Sequence, residues 1–199
     1  MLQKNRFMEF HTPEIEKLYT EIEEKRKQII ALKRAAPLEE IKNYSFIDRN
    51  GKKQELLDLF EDSDQLLLIH NMGKSCVYCT MWADGLRGYS EIISNKMPWV
   101  LTTPDDLETM KAFTEPRNWN YNVLSYHNTS FAHDLGFAFD KEDKKTMYWP
   151  GVSALIKKDG KIYRTGKDSF GPGDMYNPVW HFFDLFPNGS ENWQPKYKY

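Results

Sequence analysis

Apolar residues recur on one stripe through Ile15, Leu18, Ile22, Ile29 and Leu32, the spacing of a helix that is polar on its other side. Thr12 and Pro13 read as an N-cap followed by a proline at the first helical position. Glu14 and Glu16 suit the positive end of the helix dipole. The helix is expected to run to about Ala36, ahead of Pro37. Glu21 with Lys25 and Glu23 with Lys27 are spaced to pair on its exposed side. The stripe is expected to dock on the chain's own domain, with a homodimer helix as the alternative; Lys25 interrupts the heptad such a dimer needs.

From Tyr44 the period shortens. Residues 44–51 alternate like a strand that ends at an Asn50-Gly51 turn, and Leu56, Leu57, Leu59 and Phe60 suggest a short helix. The run Leu66, Leu67, Leu68, Ile69 suits a strand buried on both faces, as in a parallel sheet under helices. After a loop containing Gly73, Val77, Met81, Trp82, Leu86, Tyr89 and Ile93 predict one helix over 76–93, weakened in its middle by Gly85 and Gly88. A strand over 98–102 follows, then a helix started by Thr103, Pro104 and Asp106 and reaching Phe113, then a strand over 121–125. Residues 152–157 and 162–165 around Lys158-Asp159-Gly160 form the clearest hairpin signal. Asn177-Pro178 opens a closing helix with Val179, Phe182, Phe183 and Phe186. The aromatic tail with Trp180, Trp193, Tyr197 and Tyr199 is expected to pack that last helix. The order predicts an α/β domain over 41–199, a mixed sheet with helices on both faces, preceded by an N-terminal helical extension over 1–40.

Composition narrows the function classes. Of 199 residues, 40% are hydrophobic and 15% aromatic, enough for a packed core. Lys and Arg number 27 against 29 Asp and Glu, a net charge of -2, so no basic field points to nucleic acid or an anionic membrane surface. The opening MLQKNRFMEF lacks the apolar stretch of a signal peptide, and the run 66–69 is far shorter than the roughly 20 residues that span a bilayer. A cytoplasmic location is expected.

The only two cysteines, Cys76 and Cys79, are too close to staple distant segments, so they point to chemistry or a metal. A cysteine at a helix N-terminus faces unpaired N–H groups that stabilise its thiolate, the nucleophile of disulfide exchange. With a strand and short loop before it, Cys76 is the expected attacking thiol, and Cys79, nearly one turn on, the resolving one. Two ordinary small helix residues are the plain alternative.

Cys76-Val77-Tyr78-Cys79 followed by Trp82-Ala83-Asp84-Gly85 resembles the signature of a thioredoxin-like family of unassigned function, related to thioredoxins and the alkyl hydroperoxide reductase group. Tyr44-Ser45-Phe46, the segment 56–60, Ser125-Tyr126 with Phe131, Asp134 and Gly136, and the hairpin 152–165 are similar to that family's landmarks in the same order. The resemblance covers most of the chain. It implies a thioredoxin-like fold and thiol–disulfide oxidoreductase chemistry on a protein or small-molecule disulfide, with no cofactor expected. Thioredoxins place a cis-proline against the cysteines; counting back from Asp159-Gly160, Val152 stands there, with Pro150 two residues earlier. Val152 and Trp82 are the expected substrate contacts. Gly73 stands where peroxiredoxins carry threonine or serine, which argues against a one-cysteine peroxidase.

Three further groups bear on mechanism. His70 occupies the position of thioredoxin's buried carboxylate, and a histidine titrating near neutrality is a candidate proton carrier. His127 and His133 could join Cys76 and Cys79 in a zinc or copper site if the fold brought them together, which is the alternative reading. Asp84 and Arg87, three apart, are expected to pair on the helix. A non-catalytic interaction scaffold is the third reading.

Overall fold

Two units divide the chain, residues 1–37 and 38–199, and the computed structural model describes residues 11–199. The expectation drawn from the first ten residues lies outside the described ones. In the first unit, α1 (Pro13–Ala35) begins as its sequence requires: the Thr12 hydroxyl accepts the Ile15 N–H at 3.4 Å and Pro13 takes the first turn. Glu23 pairs with Lys27 at 3.9 Å, whereas Glu21 turns to Lys17 and Lys25 to Gln28. These exposed pairs contribute little. Among the described residues no helix is long and apolar enough to cross a membrane.

The second unit runs β1 (Glu39–Ile41), β2 (Ser45–Asp48), β3 (Lys53–Glu55), a 3-10 turn at Asp58–Phe60, β4 (Gln65–His70), α2 (Val77–Leu86), α3 (Ser90–Lys96), β5 (Trp99–Thr103), α4 (Leu107–Thr114), β6 (Asn122–Ser125), α5 (Phe131–Asp134), β7 (Ala138–Asp140), β8 (Thr146–Tyr148), β9 (Gly151–Lys158), β10 (Lys161–Ser169) and α6 (Val179–Phe183). Eight strands form one mixed sheet in the order β1-β10-β9-β4-β5-β6-β2-β3, and β7 and β8 make a separate antiparallel ribbon. The centre, β4-β5-β6, is parallel, because helical crossovers over one face return the chain to the same end. β9 and β2 join antiparallel on either side. This is the thioredoxin-like α/β architecture expected from the sequence.

The period of two along the central strands sorts side chains into two cores. Leu66 and Leu68 of β4, Val100 of β5, Leu124 of β6 and Leu155 of β9 enter one core with Phe46, Phe60 and Phe131. Ile69, Leu101, Val123 and Val152 enter the other with Trp82, Met110, Trp119 and Phe170. Burial on both faces is why 66–69 carries no polar residue. The hairpin β9–β10 turns at Asp159 and Gly160, both at positive φ, 52° and 72°, matching a two-residue turn. At the sheet's far edge, Arg164 donates two guanidinium nitrogens to the Glu39 carboxylate and a third to the Leu135 carbonyl, which ties β1 to β10.

Three expectations need correction. The helix over 76–93 is broken: the N–H groups of Gly88 and Tyr89 turn back three residues, to Gly85 and Leu86, and α3 starts afresh at Ser90. Two glycines three apart remove the side-chain packing that would hold a continuous helix there. Asp84 does not pair with Arg87; it accepts from Arg117 Nη1 and Trp119 Nε1, both at 2.8 Å, and so clamps α2 to the segment before β6. The closing helix is only five residues long. Its Trp180 is buried against Trp82 and Trp193, while Phe182 and Phe186 remain exposed.

Candidate active site at the cysteine pair

Both cysteines sit at the C-terminal end of the parallel strands, where β4 hands the chain to α2, and the loop between is held from three sides. The Asn71 N–H reaches the Thr102 carbonyl, its side-chain oxygen accepts the Gly73 N–H at 2.7 Å, and its amide nitrogen contacts the Cys79 carbonyl at 3.4 Å. Asp105, beyond the end of β5, accepts the Lys74 N–H at 2.8 Å and the Thr103 hydroxyl at 3.0 Å. The Cys76 N–H closes the loop on the Gly73 carbonyl.

Gly73 has φ +88°, and a Cβ there would lie 2.7 Å from Asp105 Oδ1. A threonine or serine here, as in a peroxiredoxin-type motif, would be strained at this φ and would displace the Asp105 carboxylate. Gly73→Ser is expected to destabilise the domain by at least about 1–2 kcal/mol in urea titration, from left-handed strain alone. Wild-type stability in that variant would show that the loop is not so constrained.

Cys76 is the N-cap of α2 and half-buried, while Cys79 on the first turn is 3% exposed. Cys76 Sγ accepts the Cys79 backbone N–H at 3.1 Å. The Cys79 side chain donates to Cys76, and with the N–H groups of Cys79 and Tyr78 this outweighs burial and lowers the Cys76 thiol from an ordinary 9.0 to about 7. The same contact and burial push the Cys79 thiol far up, so it holds its proton while Cys76 loses its own. Alkylation of Cys76 by iodoacetamide should therefore rise with pH through a midpoint about 7, as thiolate accumulates. Cys79→Ala removes the largest stabilising contact, so its midpoint should move upward toward 9.0; an unmoved midpoint would contradict this account.

The other expected site residues divide. Trp82, 6% exposed, lines a cavity of about 320 Å³ that both cysteines also line, enclosed by α2, the end of β4, the β7–β8 ribbon and the segments flanking β9 and β10. Val152 does not line it; it pairs with Ile69 across β4 and β9 and lies in the second core. Pro150 lines the cavity instead, with Tyr148, Trp149, Phe170 and Pro172, residues whose approach to the cysteines only the folded ribbon produces. Gly151, after Pro150, is required by close packing: a Cβ would stand 2.3 Å from the Asp168 carbonyl.

His70 also lines the cavity and is 2% exposed. Its Nε2 meets Ser153 Oγ at 2.9 Å, and its ring stacks on Phe137 at 3.7 Å. Burial first, then the positive charges of Arg164 and Lys167, hold its pKa well below the ordinary histidine value. It stays neutral through the physiological range rather than titrating near neutrality as expected. His127 and His133 are not brought to the cysteines: His127 Nδ1 contacts the Pro104 carbonyl and His133 Nε2 contacts Asp140. Among the described residues no group of three or more His, Cys, Asp or Glu side chains is placed to hold a metal ion.

The sequence profile of the family described as a bacterial protein of unknown function, DUF899, matches residues 3–199. No curated protein matches the sequence. Among solved structures, reduced Prx3 from Vibrio vulnificus in complex with H2O2 is similar at 18% identity, with a TM-score of 0.56 over 70% of this chain and 90% of that one. Peroxidoxin BcpB from Mycobacterium tuberculosis is similar at 19% identity, TM-score 0.52, covering 63% and 80%. A hypothetical protein from Sinorhizobium meliloti 1021 is similar at 14% identity, TM-score 0.52, covering 76% and 83%. At these identities the likeness is one of fold.

Proposed function

Because the chain belongs to this bacterial family of unknown function, we propose its activity from the site rather than from a relative: it is a thiol–disulfide oxidoreductase. The asymmetry of the cysteine pair carries the reading. An accessible sulfur with a lowered pKa stands at the helix N-terminus, and a buried one with a raised pKa stands behind it. The Cys76 thiolate attacks a substrate disulfide R–S–S–R′; a Cys76–S–S–R bond forms and R′S⁻ leaves. Cys79 then gives up its proton, which the departing thiolate takes, and its sulfur attacks Cys76 Sγ. RS⁻ leaves, protonated by solvent to RSH. The substrate gains two electrons and the pair becomes a disulfide, which an external thiol reductant reopens.

His70, neutral and carrying a pKa well below the usual range, is too weak a base to take the Cys79 proton; in this mechanism it holds the end of β4 through Ser153. A peroxidase reading is less well supported. Among the described residues no lysine or arginine lines the cavity to stabilise a leaving hydroxide, and Gly73 stands in place of the hydroxyl residue. We place the protein in the cytoplasm, where thiol pairs are kept reduced.

The test is single-turnover oxidation of the prereduced protein by a panel of disulfides that includes insulin and small organic disulfides. Oxidation faster than that of Cys76→Ser, ending in an intramolecular Cys76–Cys79 bond, supports the reading. If no member of the panel oxidises the wild type faster than the variant, the reading fails.

A further inference from the structure

No residue of α1 is buried, and its apolar stripe lies open: Ile15, Leu18, Ile22, Ile29 and Leu32 are between 40% and 73% exposed. A helix in a protein owes most of its stability to the packing of such a face, and a row of large aliphatic side chains in water marks an interface. We propose that this face pairs with the same face of a second copy of the chain, the two helices running antiparallel. In that orientation α1 is complementary to itself. Five carboxylates, Glu14, Glu16, Glu21, Glu23 and Glu24, fall in its first half with Lys17, and its second half holds five cations, Lys25, Arg26, Lys27, Lys33 and Arg34, and no acid. Antiparallel pairing sets the acidic half of each copy against the basic half of the other and opposes the helix dipoles. Parallel pairing would set like charge against like.

The stripe also sets the register. Ile15, Ile22 and Ile29 occupy the a positions of a heptad, and Leu18, Lys25 and Leu32 its d positions. Antiparallel packing brings the a positions of one helix level with the d positions of the other. One alignment pairs them all: Ile15 with Leu32, Leu18 with Ile29 and Ile22 with Lys25, each pair occurring twice about a two-fold axis. A shift by one heptad leaves two stripe positions of each copy without a partner. Lys25, which interrupts the stripe, becomes the device that fixes this arrangement. It lies beside the axis, its methylene stem against Ile22 of the second copy and its ammonium at the rim beside Glu21 of that copy. A parallel pair would instead stack one Lys25 on the other.

A membrane surface is a poorer match for the same face. The helix carries five acidic and six basic residues, so an anionic bilayer gains little by holding it, and it has no Trp or Phe to anchor at the headgroups. At about 1.5 Å per residue α1 is about 35 Å long, and the strip it offers is about 10 Å wide, well under the roughly 800 Å² per partner of a standard stable interface. The dimer is therefore reversible, with a dissociation constant in the micromolar range.

Sedimentation equilibrium of the protein from about 1 to about 200 µM should show monomer and dimer in exchange. Leu18→Ala/Ile29→Ala empties two of the layers while keeping the best helix former at both positions, and should raise the dissociation constant at least about tenfold. Thr20→Gln, on the polar side, should leave it within about twofold. Orientation is read by cross-linking. In the Cys76→Ser/Cys79→Ser background, a chain with Leu18→Cys is mixed with a chain with Ile29→Cys and gently oxidised. Antiparallel pairing puts these two positions in one layer, so the mixed disulfide should form well above its statistical share. A monomer across the whole concentration range, a dimer indifferent to Leu18→Ala/Ile29→Ala, or a preference for self-disulfides would overturn the proposal. A monomer that floats with phosphatidylglycerol vesicles would overturn it too, and would give the face to a membrane.

Discussion

Cys76→Ser is expected to slow single-turnover disulfide reduction by at least about 10³-fold, because a serine hydroxyl at this N-cap remains protonated where the thiol, with a pKa lowered to about 7, is partly ionised at neutral pH. The fold should survive, since the serine oxygen can accept the Cys79 N–H that Cys76 Sγ accepts at 3.1 Å and helix caps favour serine. Cys79→Ser should behave differently. Cys76 keeps its place at the helix N-terminus, and the serine hydroxyl can replace the thiol as donor, so the first attack proceeds. Resolution cannot follow, and the mixed disulfide accumulates one-to-one, visible in intact mass spectrometry as the substrate half added to Cys76. Equal loss of the first step in both variants, or no trapped adduct in Cys79→Ser, would reverse or remove the assignment of attacking and resolving thiols.

Phe131→Ala should cost about 3–5 kcal/mol of folding stability, the range for removing a fully buried aromatic ring. Phe131 is 0% exposed. Its ring meets Tyr44 edge-on at 5.1 Å and Phe46 edge-on at 4.9 Å, and lies over His70 at 5.7 Å. It anchors α5, a helix of four residues with little stability of its own. The loss would lower the urea midpoint by roughly 2 M at an m-value of about 2 kcal/mol/M. Phe186→Ala is the control: that ring is 68% exposed, and its removal should change stability by no more than about 0.5 kcal/mol. A Phe131→Ala midpoint as little shifted as the control's would mean that the first core does not depend on this ring.

The likeness to peroxiredoxin structures and the thiol–disulfide proposal are compatible once fold and site are separated. The likeness is one of fold; in this chain the topology places a cysteine beyond the end of β4 at the head of a helix. What the cysteine then does depends on its neighbours. Here these are a second thiol one turn on, a glycine at a positive φ that a hydroxyl residue would strain, and walls to which no cation among the described residues contributes.

Local chemistry was legible in the sequence. Thr12-Pro13 began α1, the unbroken apolar run 66–69 became a central strand with two buried faces, Asp159-Gly160 turned the hairpin, and Cys76 took the helix cap. Each of these depends on residues a few positions apart, so spacing alone conveys it. The helix break after Leu86 was half visible in Gly85 and Gly88, but whether two glycines interrupt a helix depends on what packs around them. Asp84 illustrates the limit: Arg87 is its neighbour in sequence, yet its partners are Arg117 and Trp119, which crossover packing delivers.

The sequence by itself determined the succession of the central strands and helices and the cysteine pair at the head of a helix, but not the order of strands in the sheet or the short strands β1, β3, β7 and β8. Only the tertiary structure decided what surrounds that pair. It sent Val152 into the core and Pro150 to the cavity, because two residues along β9 and its entry separate a sheet face from a loop. It also brought Tyr148, Trp149, Phe170 and Pro172 to Cys76 from roughly 70 to 100 residues away in the chain, and buried His70 so deeply that it stays neutral. Long-range packing and desolvation are properties of the assembled chain, and no local pattern carries them.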